Sequence, residues 1–122
     1  MNFGALCYIA AGGALGSVAR ALVAWAVPAG RLPWATILVN IAGSLLIGWL
    51  MARVSMAPAD DARLHSFAVV GLCGGFTTFS SFSWQTMEQM QKGNFGAAAV
   101  NIVLSVVLCV LATWAGWRLA KW

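Results

Sequence analysis

Charge is missing from this chain over stretches long enough to cross a lipid bilayer, and that fixes the solvent before anything else. Of its 122 residues, 61% are hydrophobic and 8% charged, where a soluble domain carries about 25% charged residues. So little charge cannot cover a surface that faces water. Hydrocarbon offers no hydrogen bonds, so the backbone must satisfy itself internally, in helices of ~20 or more residues. The length leaves room for about four, in a single transmembrane domain over residues 1–122. No extramembrane domain and no removable signal peptide are expected, because the N-terminus lacks a basic region and a cleavage site would fall inside the first span.

The first span is predicted over 3–27, closed by Pro28, Gly30 and Pro33. The second covers 34–54. The most polar connector, 55–63, carries Pro58, Asp60, Asp61 and Arg63. The third span covers 64–90, Lys92-Gly93-Asn94 makes a tight turn, and the fourth covers 95–120. Gly12 and Gly16 form a G-x-x-x-G pair that lets helix backbones approach. The tryptophans lie mostly toward span ends, as interfacial belts do. Basic residues on short loops set orientation. Here one side holds Arg53, Arg63, Arg118 and Lys121, and the other Arg31 and Lys92, with Arg20 near the second. Such a weak bias allows insertion both ways up, and head-to-tail pairing about a two-fold axis in the membrane plane. A single orientation is the alternative. The net charge of +4 is scattered and does not suggest nucleic acid. Cys7, Cys73 and Cys109 have no metal-ligand spacing, and their odd number argues against a disulfide framework.

The polar residues inside the spans carry the functional signal. Asn40 interrupts an apolar run, and Thr36, Asn40, Gly43 and Ser44 share one helix face. An unpaired amide in hydrocarbon costs several kcal/mol, so Asn40 either bonds another helix or lines a water-filled path. Span four has a winding stripe of Asn101, Ser105 and Thr113. Span three differs in kind: Thr77, Thr78, Ser80, Ser81 and Ser83 point in most directions around a helix. The preceding Leu72-Cys73-Gly74-Gly75 favours a local departure from helix. Non-helical backbone at this depth must be buried or line a cavity, and its freed carbonyls can bind a cation. Phe76, Phe79 and Phe82 share a broad face, as a packing stripe or as ring edges, which are positive, turned toward a small anion.

What is missing matters as much. Asp60 and Asp61 belong to a connector and Glu88 to a span end, so no carboxylate occupies a span core. His65 sits at a span boundary. A proton-coupled pump needs an intramembrane titratable group; neutral hydrogen-bonding groups suit a passive path. Arg20 either snorkels to the interface or lines an anion vestibule. No nucleophile–base set or metal cluster points to an enzyme.

"GGALGSVAR" at 12–20, "VNIAGSLLIG" at 39–48 and above all "GLCGGFTTFSSF" at 71–82 closely resemble the Fluc (CrcB-type) fluoride channel family. The resemblance implies an all-α integral membrane protein of four helices, the third broken mid-membrane, forming an antiparallel, dual-topology homodimer in the bacterial cytoplasmic (inner) membrane. It implies passive export of fluoride through two pores. The pore residues would be Asn40, Phe79, Phe82, Ser80, Ser105 and Thr113, with Arg20 in the vestibule. A structural sodium ion on the two-fold axis would be held by the Gly74 and Thr77 carbonyls. Ser81 stands where a threonine is often found. Asn101 and Cys109 depart from the span-four pattern. The rival readings are a small proton-coupled multidrug exporter, which requires a membrane-embedded carboxylate, and a non-transporting membrane assembly subunit.

Overall fold

The computed structural model describes residues 2–56 and 62–122; Pro58, Asp60 and Asp61 of the polar connector lie outside them. Helix α1, Phe3–Ala26, starts where the Asn2 side-chain oxygen accepts from the Ala5 N–H at 2.9 Å, satisfying one of the end donors. It stops at Val27, which is extended (φ −91°, ψ 118°), as the residue before a proline prefers. Helix α2 is Trp34–Met56. The third apolar segment is composite. A short α3, Ala62–Leu64, leads into a π-helical stretch, His65–Cys73, and then into α4, Gly74–Phe76. Thr77 (φ −82°, ψ 158°) and Thr78 (φ −152°, ψ 111°) are extended, and α5, Phe79–Gln91, follows. Gly93, at φ 76°, ends α5: its N–H donates to the Met90 carbonyl, and the Asn94 N–H donates to that of Gln89. This is a glycine C-cap. Helix α6, Phe95–Leu119, completes the described chain.

All secondary structure among the described residues is helical, and four stretches are long and apolar enough to cross a membrane: Phe3–Ala26, Trp34–Met56, Ala62–Gln91 and Phe95–Leu119. The expected boundaries hold to within a few residues. One local expectation is corrected. Gly74 and Gly75 are helical, with Gly74 at φ −63°, ψ −38°, and the extended residues are the two threonines that follow.

The glycines act instead through close approach. A Cβ on Gly12 would collide with the Phe67 carbonyl, one on Gly16 with that of Leu72, and one on Gly75 with that of Gly13. Because Gly12 faces Phe67 and Leu72 while Gly16 faces Leu72 and Phe76, α1 runs parallel to this part of the third segment. A second seam joins α2 to α6, where Gly48 meets the Thr113 backbone and Gly116 meets those of Leu45 and Trp49. Between the seams lies a small core of Leu50, Ala68, Val69 and Cys73, covered by Leu46, Ile47 and Phe67. Hydrocarbon provides little drive for helices to associate, so backbone-to-backbone packing of this kind carries the fold.

The seam can be tested directly. Gly75→Ala should destabilise the protein by about 1–3 kcal/mol, the usual range for overpacking, read as a lower melting temperature in detergent. Gly96→Ala, where an added Cβ meets nothing within 4 Å, should leave it unchanged or slightly raised.

Candidate functional site

The extended pair at Thr77 and Thr78 redirects the hydrogen bonds around it. In a continuous helix the Thr78 N–H would reach the Gly74 carbonyl, and the Ser81 N–H that of Thr77. Instead, the Thr78 N–H donates to Asn40 Oδ1 at 2.8 Å, and Asn40 Nδ2 donates to the Thr78 carbonyl at 3.1 Å. The Asn40 amide thus pairs with Thr78 much as an adjacent β-strand would. The Ser81 N–H donates to Thr78 Oγ1 at 3.1 Å, which caps α5. The carbonyls of Gly74 and Thr77 are both left without their helical donors.

Hydroxyls gather at the same point. Thr78 Oγ1 donates to Ser81 Oγ at 3.1 Å and lies 3.2 Å from Ser80 Oγ. With the Thr78 proton committed to Ser81, Ser80 is the donor in the second contact.

A groove of about 640 Å³ opens beside this cluster. Asn40, Thr78, Phe79, Phe82 and Ser105 line it, and Gly74 and Thr77 reach its wall. The Phe79 and Phe82 rings stand 5.2 Å apart, tilted by 45°. Phe82 is buried, whereas Phe79 is 78% exposed. The groove therefore brings together Asn40, Phe79, Phe82 and Ser105 from three helical segments. Its named polar groups are amide, hydroxyl and carbonyl, with no carboxylate. The fold leaves two of the expected residues outside it. Ser80 is exposed beside Thr78. Thr113 lies further along α6, donates to the Cys109 carbonyl at 3.0 Å, and lines a separate apolar groove with Gly48 and Trp114.

Arg20 faces a smaller cavity of about 280 Å³, lined also by Thr36, Thr78, Ser81 and Gln85. Its Nε and the Gln85 Oε1 are both buried without a hydrogen-bond partner among the described residues. Thr78 borders this cavity and the groove alike. The Asn40–Thr78 pair is thus part of the partition between them.

Sequence reasoning missed the use of Thr86 and Gln85. Thr86 Oγ1 donates to the Phe82 carbonyl at 2.8 Å and accepts from Asn101 Nδ2 at 2.9 Å. A signal existed: Thr86 and Asn101 lie nearly the same distance on either side of Gly93, so a helical hairpin there sets them opposite each other.

The family described as "CrcB-like protein, Camphor Resistance (CrcB)" matches residues 7–117. Curated relatives carry the name "Fluoride-specific ion channel FluC". That of Methylobacterium radiotolerans is 46% identical over 118 residues, covering 92% of this chain and 81% of the relative. That of Methylocella silvestris is 47% identical over 116 residues, covering 89% and 87%. That of Geobacter sulfurreducens is 42% identical over 116 residues, covering 93% and 94%.

Asn40→Leu puts an apolar side chain of similar size in place of the amide and leaves the Thr78 N–H and carbonyl without their partner, at up to about 1–3 kcal/mol for each group. It should lower the melting temperature in detergent clearly more than Thr78→Val, which removes the hydroxyl and leaves the backbone pair in place.

Proposed function

Because this chain belongs to the CrcB-like protein family, we propose that it is a fluoride-selective passive ion channel that lets fluoride leave the cytoplasm. The observation that carries this reading is the groove, where one amide, two aromatic rings and two serines, Ser44 and Ser105, converge beside an extended step in the third segment. Fluoride is small and strongly hydrated, so a path for it must replace water with donors and positive ring edges. Asn40, Ser105, Phe79 and Phe82 are of that kind, and Ser80 and Thr113 extend the hydroxyl track on either side. Arg20 adds positive charge behind the Thr78 partition, as a vestibule residue would. An inside-negative potential favours outward movement of an anion by ~2.3 kcal/mol per 100 mV, so no coupled proton is needed.

The reading includes a third helix broken mid-membrane at Thr77–Thr78, and an antiparallel homodimer in the bacterial cytoplasmic membrane. The exposed Phe79 ring supports pairing, since it is a groove residue that a second copy would cover. The weak asymmetry of basic residues supports insertion both ways up. A structural sodium ion belongs to the same proposal. The Gly74 and Thr77 carbonyls would hold it, because both have lost their helical donors. They are neutral oxygen ligands of the type that binds Na⁺ where helices unwind. When bound, the ion would supply a fixed positive charge joining the two copies. The exporter reading is less favoured: Glu88 stands at the end of α5, paired with Lys92 at 3.0 Å.

Purified protein in liposomes should release fluoride without a proton gradient, and release chloride far more slowly. An exporter would need the gradient, and an assembly subunit would pass neither ion. Phe79→Ile and Phe82→Ile should each lower fluoride efflux by about tenfold or more, a modest change in barrier, while assembly persists. Asn40→Asp should block efflux by placing an anion in the path. Unchanged efflux in both phenylalanine variants would remove the rings from the mechanism.

A further inference from the structure

Asn101 is fully buried and lies outside the groove lining, yet it is the centre of a polar chain that ends there. Its Nδ2 donates to Thr86 Oγ1 at 2.9 Å, and Thr86 Oγ1 donates to the Phe82 carbonyl at 2.8 Å. Its Oδ1 accepts from Ser105 Oγ at 3.3 Å. The chain links a ring-bearing residue of the groove, on α5, to the groove hydroxyl on α6. The two bonds of Asn101 are unequal. The amide N–H is held at ordinary length, which fixes the side chain, whereas 3.3 Å is long for a hydroxyl donor. Ser105 therefore has its proton turned inward by a weak acceptor.

We infer that Asn101 is a positioning residue, which keeps the Ser105 hydroxyl loosely parked so that it can turn and donate to an anion in the groove. This rests on the channel reading above. A serine in a helix otherwise returns its proton to the carbonyl one turn back, here that of Asn101 itself. The Asn101 side chain offers a competing, weaker partner. Without it, the hydroxyl falls back onto the helix and is withdrawn from the path. Thr86 holds the amide in the orientation that makes this possible.

The test is a double-mutant cycle on fluoride efflux from liposomes. Asn101→Leu should lower efflux by about tenfold, the effect of one hydrogen bond of ordinary strength on a rate. Thr86→Val, which keeps the size of the side chain but takes away the acceptor of Asn101 Nδ2, should lower it in the same direction. In a Ser105→Ala background both substitutions should have no further effect. Equal fractional losses with and without the Ser105 hydroxyl would overturn the inference, because a merely structural role does not depend on that group. If the unsubstituted chain passes no fluoride, the channel reading fails. The network is then judged by melting in detergent, where Asn101→Leu and Thr86→Val should be non-additive. Additive losses would overturn it as well.

Discussion

The pairing of the Asn40 amide with the backbone of Thr78 is the interaction on which the rest of this structure depends. An extended step inside an apolar segment exposes an N–H and a carbonyl that lipid cannot satisfy. A carboxamide is the smallest side chain that offers one donor and one acceptor in the geometry of a peptide group. Asn40 supplies both, at 2.8 and 3.1 Å. Serine or threonine would satisfy one half of Thr78, and a carboxylate would bring a charge. The extended step in turn starts α5 afresh, with Phe79 and Phe82 in the groove, and diverts the helical donors of the Gly74 and Thr77 carbonyls.

Holding this step in place requires rigid neighbours, and the glycine seams supply them. Gly12, Gly16 and Gly75 lock α1 to the segment before the threonines, and Gly48 and Gly116 lock α2 to α6. Gly43 belongs to the same arrangement: a Cβ there would collide with the Thr77 methyl, so its absence lets the extended residues lie against α2 one turn from Asn40. The apolar core between the seams is small because most large side chains face outward, among them Trp25, Trp114 and Val110. In water that arrangement would be unstable. In lipid it leaves close backbone contact and buried hydrogen bonds as the terms that select one fold.

Most of this was legible in the sequence where one residue type has one use. Long apolar runs in lipid must be helices, and Pro28, Pro33 and Gly93 end or separate them, so four spans and their limits followed from residue types alone. The position of the extended step did not. The Gly74-Gly75 pair is the weaker helix former, and propensity points there, yet tertiary contact with Gly13 holds Gly75 helical and Asn40 holds Thr78 extended. Propensity is local, whereas the partner of Thr78 lies in a different span. The π-helical turns of His65–Cys73 had no signal in composition. Asn101 was read as part of a stripe, and its burial against Thr86 depends on how the α5–α6 hairpin closes. The convergence of Asn40, Phe79, Phe82 and Ser105 was anticipated through family resemblance; periodicity alone had left Asn40 open between a bond across helices and a path. The structure shows the bond across helices, to Thr78, and sets Asn40 in the lining of the groove.

That double role bears on how such a groove would treat an anion. Few of its donors are idle. One N–H of Asn40 is engaged with Thr78, the Thr78 hydroxyl with Ser81, and the Ser105 hydroxyl with Asn101. The Ser44 hydroxyl, the second Asn40 N–H and the ring edges of the two phenylalanines remain. An ion entering would exchange its water for a handful of weak or partly committed partners, with no fixed charge among them. Conduction requires binding strong enough to admit an ion and weak enough to release it. A lysine in the groove would favour the first at the expense of the second, and a purely apolar wall would do the reverse. Donors already engaged in bonds of 3.1–3.3 Å lie between these limits, because each bond offered to the ion is offset by one given up within the protein.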